Sequence, residues 1–376
     1  MTAIRNAWTR FFGEERDAYL LGLLRLALSA LLLLNGGRLI LELYRGGYFG
    51  DFFHLPILPE SWLPSRTGYA CLLGVQTLAC VLAFLGVWPR EALLGASSIG
   101  LYILCCDRLQ YHNNRYALLL LGFLLAFTPC DRSFLIARRG PHHLPLEARI
   151  APTFARRLFQ IQVSLVYLGS SCGKLLDPDW RGGQVMLIRF AKTAEIMARN
   201  GFAPPNWLNL TLSSALFASL ASKVAIATEL FIALGSWWPR TRRLALWTGI
   251  LFHFWIEVSA RVELFSWVMA ASYLAFVVPE LRERRFEYDP LSSRGTALAR
   301  LLPLIDWCAR FDVASLANAP QGVSFYVTSR EGRRAHGLSG FALLAEAIPL
   351  LFPLWLPLAL LSKWQRRRAP LPASSA

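Results

Sequence analysis

The chain contains a series of apolar runs that are each about long enough to enter a lipid bilayer. A membrane-spanning helix needs roughly 17 to 25 mainly apolar residues, because it must cross about 30 Å of hydrocarbon. Four runs clearly satisfy this requirement, and they cover residues 18–44, 68–88, 213–238 and 243–260. Four weaker runs, which are short or interrupted, cover residues 91–106, 116–130, 158–175 and 263–280. The sequence therefore predicts an all-α polytopic membrane bundle of about eight transmembrane helices.

Composition agrees with a membrane protein and argues against other classes. Of the 376 residues, 55% are hydrophobic, which is more apolar material than one soluble core would bury. The formal net charge is +15, but the basic residues fall in short clusters between apolar runs, as in loops that face an anionic leaflet. We therefore expect no nucleic-acid partner. The seven cysteines lie mostly inside apolar runs without paired spacing, so we expect neither a disulfide framework nor a metal site.

The distribution of basic residues also predicts the orientation of the chain. A cytoplasmic N-terminus puts most loop arginines on the inner side, which is the usual bias. We expect a multi-pass protein of a bacterial inner membrane with both termini in the cytoplasm. Residues 14–17 are charged and no small-residue cleavage site follows, so no removable signal peptide is expected. The last apolar run, 341–362, carries Pro349, Pro353 and Pro357, and these prolines disfavour a ninth span.

Charged residues inside the apolar runs are the first pointers to a site. Arg25 lies in the first run, and Lys223 and Glu229 lie in the run 213–238. Charges at membrane depth usually face the interior of the bundle or a water-filled cavity. Two interpretations stay open, a functional cavity and paired charges that only fix helix packing.

The composition changes near residue 282, and the following pattern of strand, helix, strand, hairpin and helix predicts a small α/β domain over 282–362. A basic, flexible tail is expected over 363–376. The domain resembles the thioredoxin-like DCC family, whose members open with a strand followed by Asp-Gly-x-Cys-x-x-Cys. The two cysteine positions of that motif are Ser292 and Gly295 here. Thiol–disulfide exchange needs a thiolate, so the resemblance implies a degenerate cytoplasmic domain without this chemistry.

Residues 158–183 hold the most informative polar cluster, because an apolar run closes there on Lys174, Asp177, Asp179 and Trp180. Such a cluster at the mouth of a hydrophobic helix is costly unless it is paired or solvated. Lysine also changes its protonation readily when it is desolvated, unlike arginine. A plain interfacial anchor, with the tryptophan at headgroup level, is the alternative.

Two further polar groups are expected at the same outer side of the bundle. The segment Tyr111–Tyr116, with Asn113 and Asn114, precedes one apolar run, and His253 lies in an aromatic helix near its outer end. A histidine titrates near neutral pH, which suits acid or base catalysis. A lone histidine in such a helix also serves as a hydrogen-bonded packing residue, and this interpretation stays open.

The order of these motifs resembles the HTTM (horizontally transferred transmembrane domain) family, the bacterial relatives of vitamin K-dependent γ-carboxylase. The resemblance covers roughly residues 10–281. It rests on three sets of residues, which are Tyr111 to Tyr116; Tyr167, Lys174, Asp177, Asp179 and Trp180; and Phe252, His253, Phe265 and Pro279. It implies that Lys174 acts as a free amine on a reduced vitamin K-like quinone. The chain departs from the carboxylase at Asn114, in place of the motif histidine, and at Leu175, in place of its second lysine.

The leading hypothesis is an HTTM protein that binds a quinone-like or lipid-like ligand in an intramembrane cavity, with carboxylase-type chemistry left open. The candidate catalytic residues are Lys174 and His253, and the candidate ligand-binding residues are Asn113, Asn114, Tyr167, Asp177, Asp179 and Trp180. The expected partners are membrane lipid and a quinone or reduced vitamin K-like cofactor, with no metal. Classical glutamate carboxylation is not expected, because the sequence offers no large outer domain for a protein substrate. A non-catalytic membrane scaffold and a quinone-linked thiol oxidoreductase are the alternatives.

Overall fold

The computed structural model divides the chain into two units, Met1–Val277 and Val278–Ala376. It describes residues 2–50, 54–136, 144–202, 205–260, 262, 264–317 and 320–368. Within these ranges the first unit is helical apart from one short strand pair, and the second combines a four-stranded sheet with helices.

The first unit is a bundle in which successive apolar helices are joined by short connections or surface segments. Its elements are α1 (Thr2–Gly13), β1 (Glu15–Asp17), α2 (Tyr19–Tyr44), α3 (Arg66–Leu85), α4 (Pro89–Cys105), α5 (Asn113–Ala126), α6 (Leu146–Arg149), β2 (Ile150–Pro152), α7 (Phe154–Leu176), α8 (Pro178–Gly182), α9 (Gln184–Arg199), α10 (Asn206–Leu212), α11 (Ala215–Gly235), α12 (Pro239–Ala260) and α13 (Phe265–Ser272). Single 3-10 turns occur at Gly47–Phe49, Glu60–Trp62, Arg108–Gln110 and Tyr273–Ala275.

Three of these helices, α2, α3 and α11, are long and apolar enough to cross a membrane by length and composition among the described residues. The remaining apolar runs form α4, α5, α7, α12 and α13, which are shorter or more polar. The structure therefore supports a bundle of apolar helices, whereas the number of eight spans stays a prediction.

Polar side chains and glycine mark the ends of the spanning helices. The Ser65 hydroxyl accepts a hydrogen bond from the Gly68 amide at the start of α3, and Ser214 does the same for Phe217 at the start of α11. These caps satisfy amide groups that have no partner inside the helix. Gly86 ends α3 with φ of 75°, a left-handed conformation in which glycine avoids the steric cost of a Cβ atom.

Two buried arginines hold loops against the helices. Arg25, in the second turn of α2, donates hydrogen bonds to the carbonyl oxygens of Cys130 (3.2 Å) and Phe134 (2.6 Å). Arg156, in the first turn of α7, donates to the carbonyls of Ala275 (2.8 Å) and Val277 (2.7 Å). A guanidinium group carries five donors, so it satisfies several carbonyls at once. For Arg25 the packing interpretation of the charge is therefore the one that the contacts favour.

Contacts between loops show which helix ends lie together. The loop after α2 meets the loop after α4, where the Arg108 amide bonds to the Leu55 carbonyl at 2.7 Å and His54 lies 3.0 Å from Asp107. At the opposite helix ends, β1 pairs with β2, and Arg149 forms an ion pair with Asp17 at 2.9 Å. Successive helices of this part of the bundle therefore run in alternate directions.

The second unit is an α/β fold. Its elements are β3 (Arg284–Tyr288), α14 (Ser293–Ile305), β4 (Phe311–Ser315), β5 (Phe325–Thr328), β6 (Arg334–Ala335), α15 (Gly337–Ala347) and α16 (Trp355–Arg368), with a 3-10 segment at Pro349–Leu354. The strand order is β4-β3-β5-β6, in which only the β3–β4 pair is parallel. The core includes Phe286, Leu302, Phe325, Val327 and Leu343. This succession of elements matches the predicted one, and the DCC relationship itself stays a prediction.

The positions of the two DCC motif cysteines have structural roles in this chain. Ser292 caps α14, because its hydroxyl accepts a hydrogen bond from the Gly295 amide at 3.2 Å. Gly295 is buried, and a Cβ atom there would lie 2.4 Å from the Ser324 carbonyl oxygen. A cysteine at this second position would collide with backbone, so the local packing agrees with a domain that lacks the thiol chemistry.

The run 341–362 does not form one continuous helix. It is divided among α15, the 3-10 segment and α16, and prolines stand at 349 and 353 in the 3-10 segment. The Ser339 and Ser362 hydroxyls lie 2.6 Å apart and join α15 to α16. The helix α16 continues to Arg368, whereas residues 369–376 of the predicted tail lie outside the described residues.

Candidate functional site

Lys174 forms the centre of a polar network between α7 and α11. Its Nζ atom lies 2.5 Å from the Glu229 carboxylate and 2.6 Å from the Ser170 hydroxyl. The Ser170 hydroxyl donates to the same carboxylate oxygen at 3.1 Å. Ser170 and Lys174 are four residues apart on α7, so they share one face of the helix. The side chains of Lys174 and Glu229 are only 15% and 6% exposed, so the ion pair lies largely inside the bundle.

Trp180, on the short helix α8, covers this network. The Lys174 Nζ atom lies 5.0 Å from the centre of the Trp180 ring, and the Arg189 guanidinium lies 5.8 Å from it. Both distances are within the range in which an aromatic face attracts a cation. The Ser222 hydroxyl donates to the Trp180 backbone carbonyl, which ties the tryptophan to α11.

The short helix α8 determines where Trp180 lies. Asp177 caps α8 by accepting a hydrogen bond from the Asp179 amide at 2.9 Å. Gly183 ends the helix with φ of 87°, and a Cβ atom there would lie 2.5 Å from the Ser219 amide nitrogen. Only glycine permits this close approach of the backbone to α11. Asp177 and Asp179 thus shape the turn, and neither lines the cavity described next.

A cavity of about 660 Å³ lies beside the Lys174 network. Apolar and aromatic side chains dominate its walls, and they come from α9, α11 and α12. The polar lining includes Asn114, Ser170, Lys174, Arg189 and Glu229. The second carboxylate oxygen of Glu229, Oε2, is buried and has no hydrogen-bond partner among the described residues. A mainly apolar pocket with a few convergent polar groups is the usual form of a small-molecule site.

The two asparagines of the predicted motif, at the start of α5, differ in their positions. Asn114 lines the cavity, and its amide nitrogen donates to the Val262 carbonyl at 3.0 Å. Asn113 is exposed at the first residue of α5 and does not line the cavity. Leu175, which aligns with the second lysine of the carboxylase, is 51% exposed and also lies away from the cavity lining.

His253 and Tyr167 form a buried cluster next to the cavity wall. The Tyr167 hydroxyl lies 2.5 Å from the Nε2 atom of His253 and 2.6 Å from the hydroxyl of Tyr273. His253 is 2% exposed, and its Nδ1 atom has no hydrogen-bond partner among the described residues. Neither His253 nor Tyr167 lines the cavity. Tyr167 and Lys174 are seven residues apart on α7, about 10 Å along its axis.

The structure thus brings together part of the predicted site. Lys174, Trp180 and Asn114 meet at one cavity, and Tyr167 and His253 meet in the adjoining cluster. Sequence reasoning did not assign Glu229, Ser170, Arg189 or Tyr273 to the site. The acidic residue in an apolar run was the available signal for Glu229. The pairing of Glu229 with Lys174 could not be predicted from the sequence, because the two residues lie 55 residues apart on different helices.

Comparison with known proteins identifies the family. A family model described as HTTM domain matches residues 14–280, which is more than half of the chain. No match was found among curated proteins or among solved structures. The predicted resemblance to the HTTM family is confirmed, while the closer relationship to γ-carboxylase stays a prediction. Together with the long apolar helices, the match shows that this chain is an integral membrane protein of the HTTM family.

Proposed function

We propose that this protein binds a quinone-like or lipid-like molecule in the Lys174 cavity within a bacterial inner membrane. The observation that carries the proposal is the cavity of about 660 Å³, which has apolar walls and a buried ammonium–carboxylate pair at one side. Burying such charges against apolar walls is costly, and a polar ligand group that bonds to them would recover part of this cost.

The walls of the cavity favour a ligand that comes from the lipid phase. Leu220 and Val224 on α11, and Leu251 and Trp255 on α12, line the cavity and are 36% to 63% exposed. Exposed apolar side chains on membrane helices contact lipid, so the mouth of the cavity continues into the hydrocarbon region. A ligand with an apolar tail would enter between these helices without passing through water.

The polar side of the cavity offers both donors and acceptors. An ammonium group has three donors, and two of those on Lys174 are used by Glu229 and Ser170. The third donor and the Asn114 side chain are available to carbonyl oxygens such as those of a quinone. The side-chain oxygen of Asn114 would accept a hydrogen bond from a ligand hydroxyl.

Carboxylase-type proton abstraction by Lys174 and His253 is a second proposal. That chemistry would require Lys174 as a free amine. In this structure the Lys174 side chain instead forms an ion pair with Glu229. His253 lies against Tyr167 in the adjoining cluster, away from the cavity lining. The geometry therefore supports binding more directly than catalysis. Thiol oxidoreduction finds no support in the packing around Ser292 and Gly295.

Ligand analysis of three matched proteins would test the binding proposal. Wild-type protein, Lys174→Met and Lys192→Met would be purified from membranes, and bound lipids and quinones would be identified by mass spectrometry. Lys192 is exposed on α9 and outside the cavity lining, so its substitution controls for the loss of one positive charge.

We expect wild-type protein and Lys192→Met to retain the same ligand, and Lys174→Met to bind it with about tenfold lower affinity, so that less of it is purified with the protein. This figure corresponds to a hydrogen bond to a charged group worth about 1.4 kcal/mol. Equal occupancy in all three proteins would contradict the proposed site. A wild-type protein that carries no bound molecule, and binds neither a ubiquinone nor a menaquinone analogue, would favour the scaffold alternative.

A further inference from the structure

The second unit contains an apolar groove of its own, separate from the Lys174 cavity. This groove has a volume of about 370 Å³ and lies between α14 on one side and α15, the 3-10 segment and α16 on the other. Its lining includes Leu298, Leu302, Phe341, Leu344, Leu351 and Leu358. Every lining side chain is a leucine, isoleucine, phenylalanine or alanine. A ligand of this groove must therefore be apolar along the part that is buried.

The rim of the groove is also apolar and is exposed. Leu301 on α14 is 47% exposed, Phe341 on α15 is 38% exposed and Leu354 is 54% exposed. On the bordering helices α14 and α16, Leu304 and Trp364 are 71% and 50% exposed. Soluble surfaces rarely leave this many large apolar side chains together, so the rim is suited to an apolar partner.

Two of the helices that border the groove, α14 and α16, carry charges of one sign only, whereas the third, α15, carries Glu346, which pairs with Arg284. The helices α14 and α16 contain no aspartate or glutamate. Their exposed basic residues are Arg294, Arg300, Lys363, Arg366 and Arg367. Clusters of lysine and arginine beside exposed leucine and tryptophan are the usual features of a surface that binds anionic lipid. The charge pattern thus indicates an anionic group at the head of the apolar ligand.

The contact between α15 and α16 places Lys363 and Arg366 near one end of the groove. Ser339 bonds to Ser362, so the second half of α16 lies beside the start of α15, where Leu338 and Phe341 line the groove. Lys363 follows Ser362 directly, and Arg366 lies one helical turn further along α16. An acyl chain in the groove and a phosphate at these basic residues would thus belong to the same lipid molecule.

We propose that the groove between α14 on one side and α15 with α16 on the other binds one acyl chain of an anionic phospholipid, with its phosphate held by Lys363 and Arg366. The source of the lipid is the membrane that holds the first unit. Only residues 276–283 lie between the turn Tyr273–Ala275 and β3, and eight extended residues span at most about 29 Å. The chain itself therefore keeps this unit within reach of a lipid surface.

Photolabelling of the full-length protein would test this proposal. The protein would be placed in vesicles of phosphatidylethanolamine and phosphatidylglycerol that contain a trace of phosphatidylglycerol with a diazirine in one acyl chain. Irradiation, proteolysis and mass spectrometry would then locate the labelled peptides. We expect labels in the peptides of α14 and α15, in addition to labels on the membrane helices of the first unit, which serve as an internal standard.

Two matched variants give the test its specificity. Leu301→Glu puts a charge at the rim, and we expect it to lower labelling of α14 and α15 at least fivefold relative to the internal standard. Leu291→Glu adds the same charge in the same unit, at a residue that is 94% exposed and outside the groove lining, and it should leave labelling unchanged. Leu354→Glu would repeat the first result from the opposite wall.

Headgroup selectivity provides the second part of the test. A diazirine-labelled phosphatidylcholine should label the groove at least fivefold less than the phosphatidylglycerol, and Lys363→Gln with Arg366→Gln should remove this difference. Equal labelling by both lipids in the wild-type protein would overturn the phosphate assignment. Absence of label in α14 and α15, or a photoreactive leucine at 301 that crosslinks to a second copy or to residues 369–376, would overturn the lipid proposal as a whole.

Discussion

The ion pair between Lys174 and Glu229 is the best-defined polar contact of the candidate site, and its cost can be measured. Removing one partner of a buried pair leaves the other charge unpaired, which typically costs about 3–5 kcal/mol, whereas removing both costs much less. We expect Lys174→Met and Glu229→Leu each to lower the thermal stability in detergent, and the double variant to be more stable than either single variant.

A double-mutant cycle checks this prediction, because it isolates the energy that the two side chains share. The exposed Lys192 supplies the control, and Lys192→Met combined with Glu229→Leu should give additive losses. Additive losses for Lys174 and Glu229 as well would mean that the 2.5 Å contact does not contribute to the folded state.

Asp306 should make the stability of the second unit depend on pH. Burial raises the pKa of the Asp306 carboxyl, against the opposing effects of the Phe311 and Arg310 backbone amides and of two arginine charges. One oxygen accepts a hydrogen bond from the Phe311 amide at 2.9 Å, and the other is buried without a partner among the described residues. The folded state then binds the proton more tightly than the unfolded state, whose pKa is 3.8.

The Asp306 carboxyl therefore stabilises the fold below pH 3.8. Its contribution is lost as the pH rises through the pKa that Asp306 has in the folded state, which is the higher one. Asp306→Asn keeps an acceptor for the Phe311 amide and removes the charge. The stability of this variant should therefore fall less than that of the wild-type protein as the pH rises through the folded pKa of Asp306. Calorimetry of the full-length protein between about pH 4 and pH 7 measures the difference. Asp312→Asn, at an exposed position of β4, is the control, and its stability should change with pH in the same way as that of the wild-type protein.

Close packing between helices is controlled by glycines as much as by large apolar residues. Gly249 on α12 faces Tyr273, and a Cβ atom there would lie 2.1 Å from the tyrosine hydroxyl. Gly249→Ala must therefore displace Tyr273 and weaken its bond to Tyr167, with an expected loss of about 1–3 kcal/mol. Gly169→Ala on α7, where a Cβ atom would meet nothing within 4 Å, is the matched control and should preserve stability.

Thermal unfolding of both variants measures this effect. A second readout is the absorbance of the tyrosine side chains, which should change in Gly249→Ala because Tyr273 and Tyr167 share a hydrogen bond at 2.6 Å. If the two alanine variants have equal stability, the contact between α12 and the turn Tyr273–Ala275 is looser than these distances indicate.

The apolar runs predicted the long elements well, because burial in lipid or in the bundle depends on local composition. The run 18–44 became Tyr19–Tyr44, and the run 68–88 became Arg66–Leu85. The site could be predicted only in part, because its contacts join distant helices. Glu229 meets Lys174 across 55 residues, and the position of Trp180 depends on Gly183, whose backbone lies against α11. No local pattern carries such information.

The run 263–280 was the element whose length the sequence overestimated. Its helix α13 spans Phe265–Ser272 and continues only as a 3-10 turn to Ala275. Together these 11 residues reach about 17 Å, which is well short of the hydrocarbon thickness of about 30 Å. The side chains of Ser266, Val268, Met269 and Ser272 are buried, so one face of this segment packs against the bundle, whereas Trp267 is 60% exposed.

The side of the membrane that holds the second unit depends on this short segment. If α13 and the residues after it complete an eighth crossing, the two termini lie on the same, cytoplasmic side. If the segment returns without crossing, the second unit lies on the outer side. We propose the first arrangement, because the basic loops already favour a cytoplasmic N-terminus.

Reporter proteins fused after chosen residues along the chain would decide between these arrangements. Alkaline phosphatase, which is active only outside the cytoplasm, should be active when it is fused after residues 64 and 205 and inactive after residues 88, 238 and 368. A fluorescent protein that folds only in the cytoplasm should give the opposite pattern. Activity of the phosphatase at both 205 and 368, with none at 238, would show that the chain crosses seven times. The basic helix α16 would then lie away from the anionic inner leaflet, and the groove would have to take its lipid from the outer leaflet.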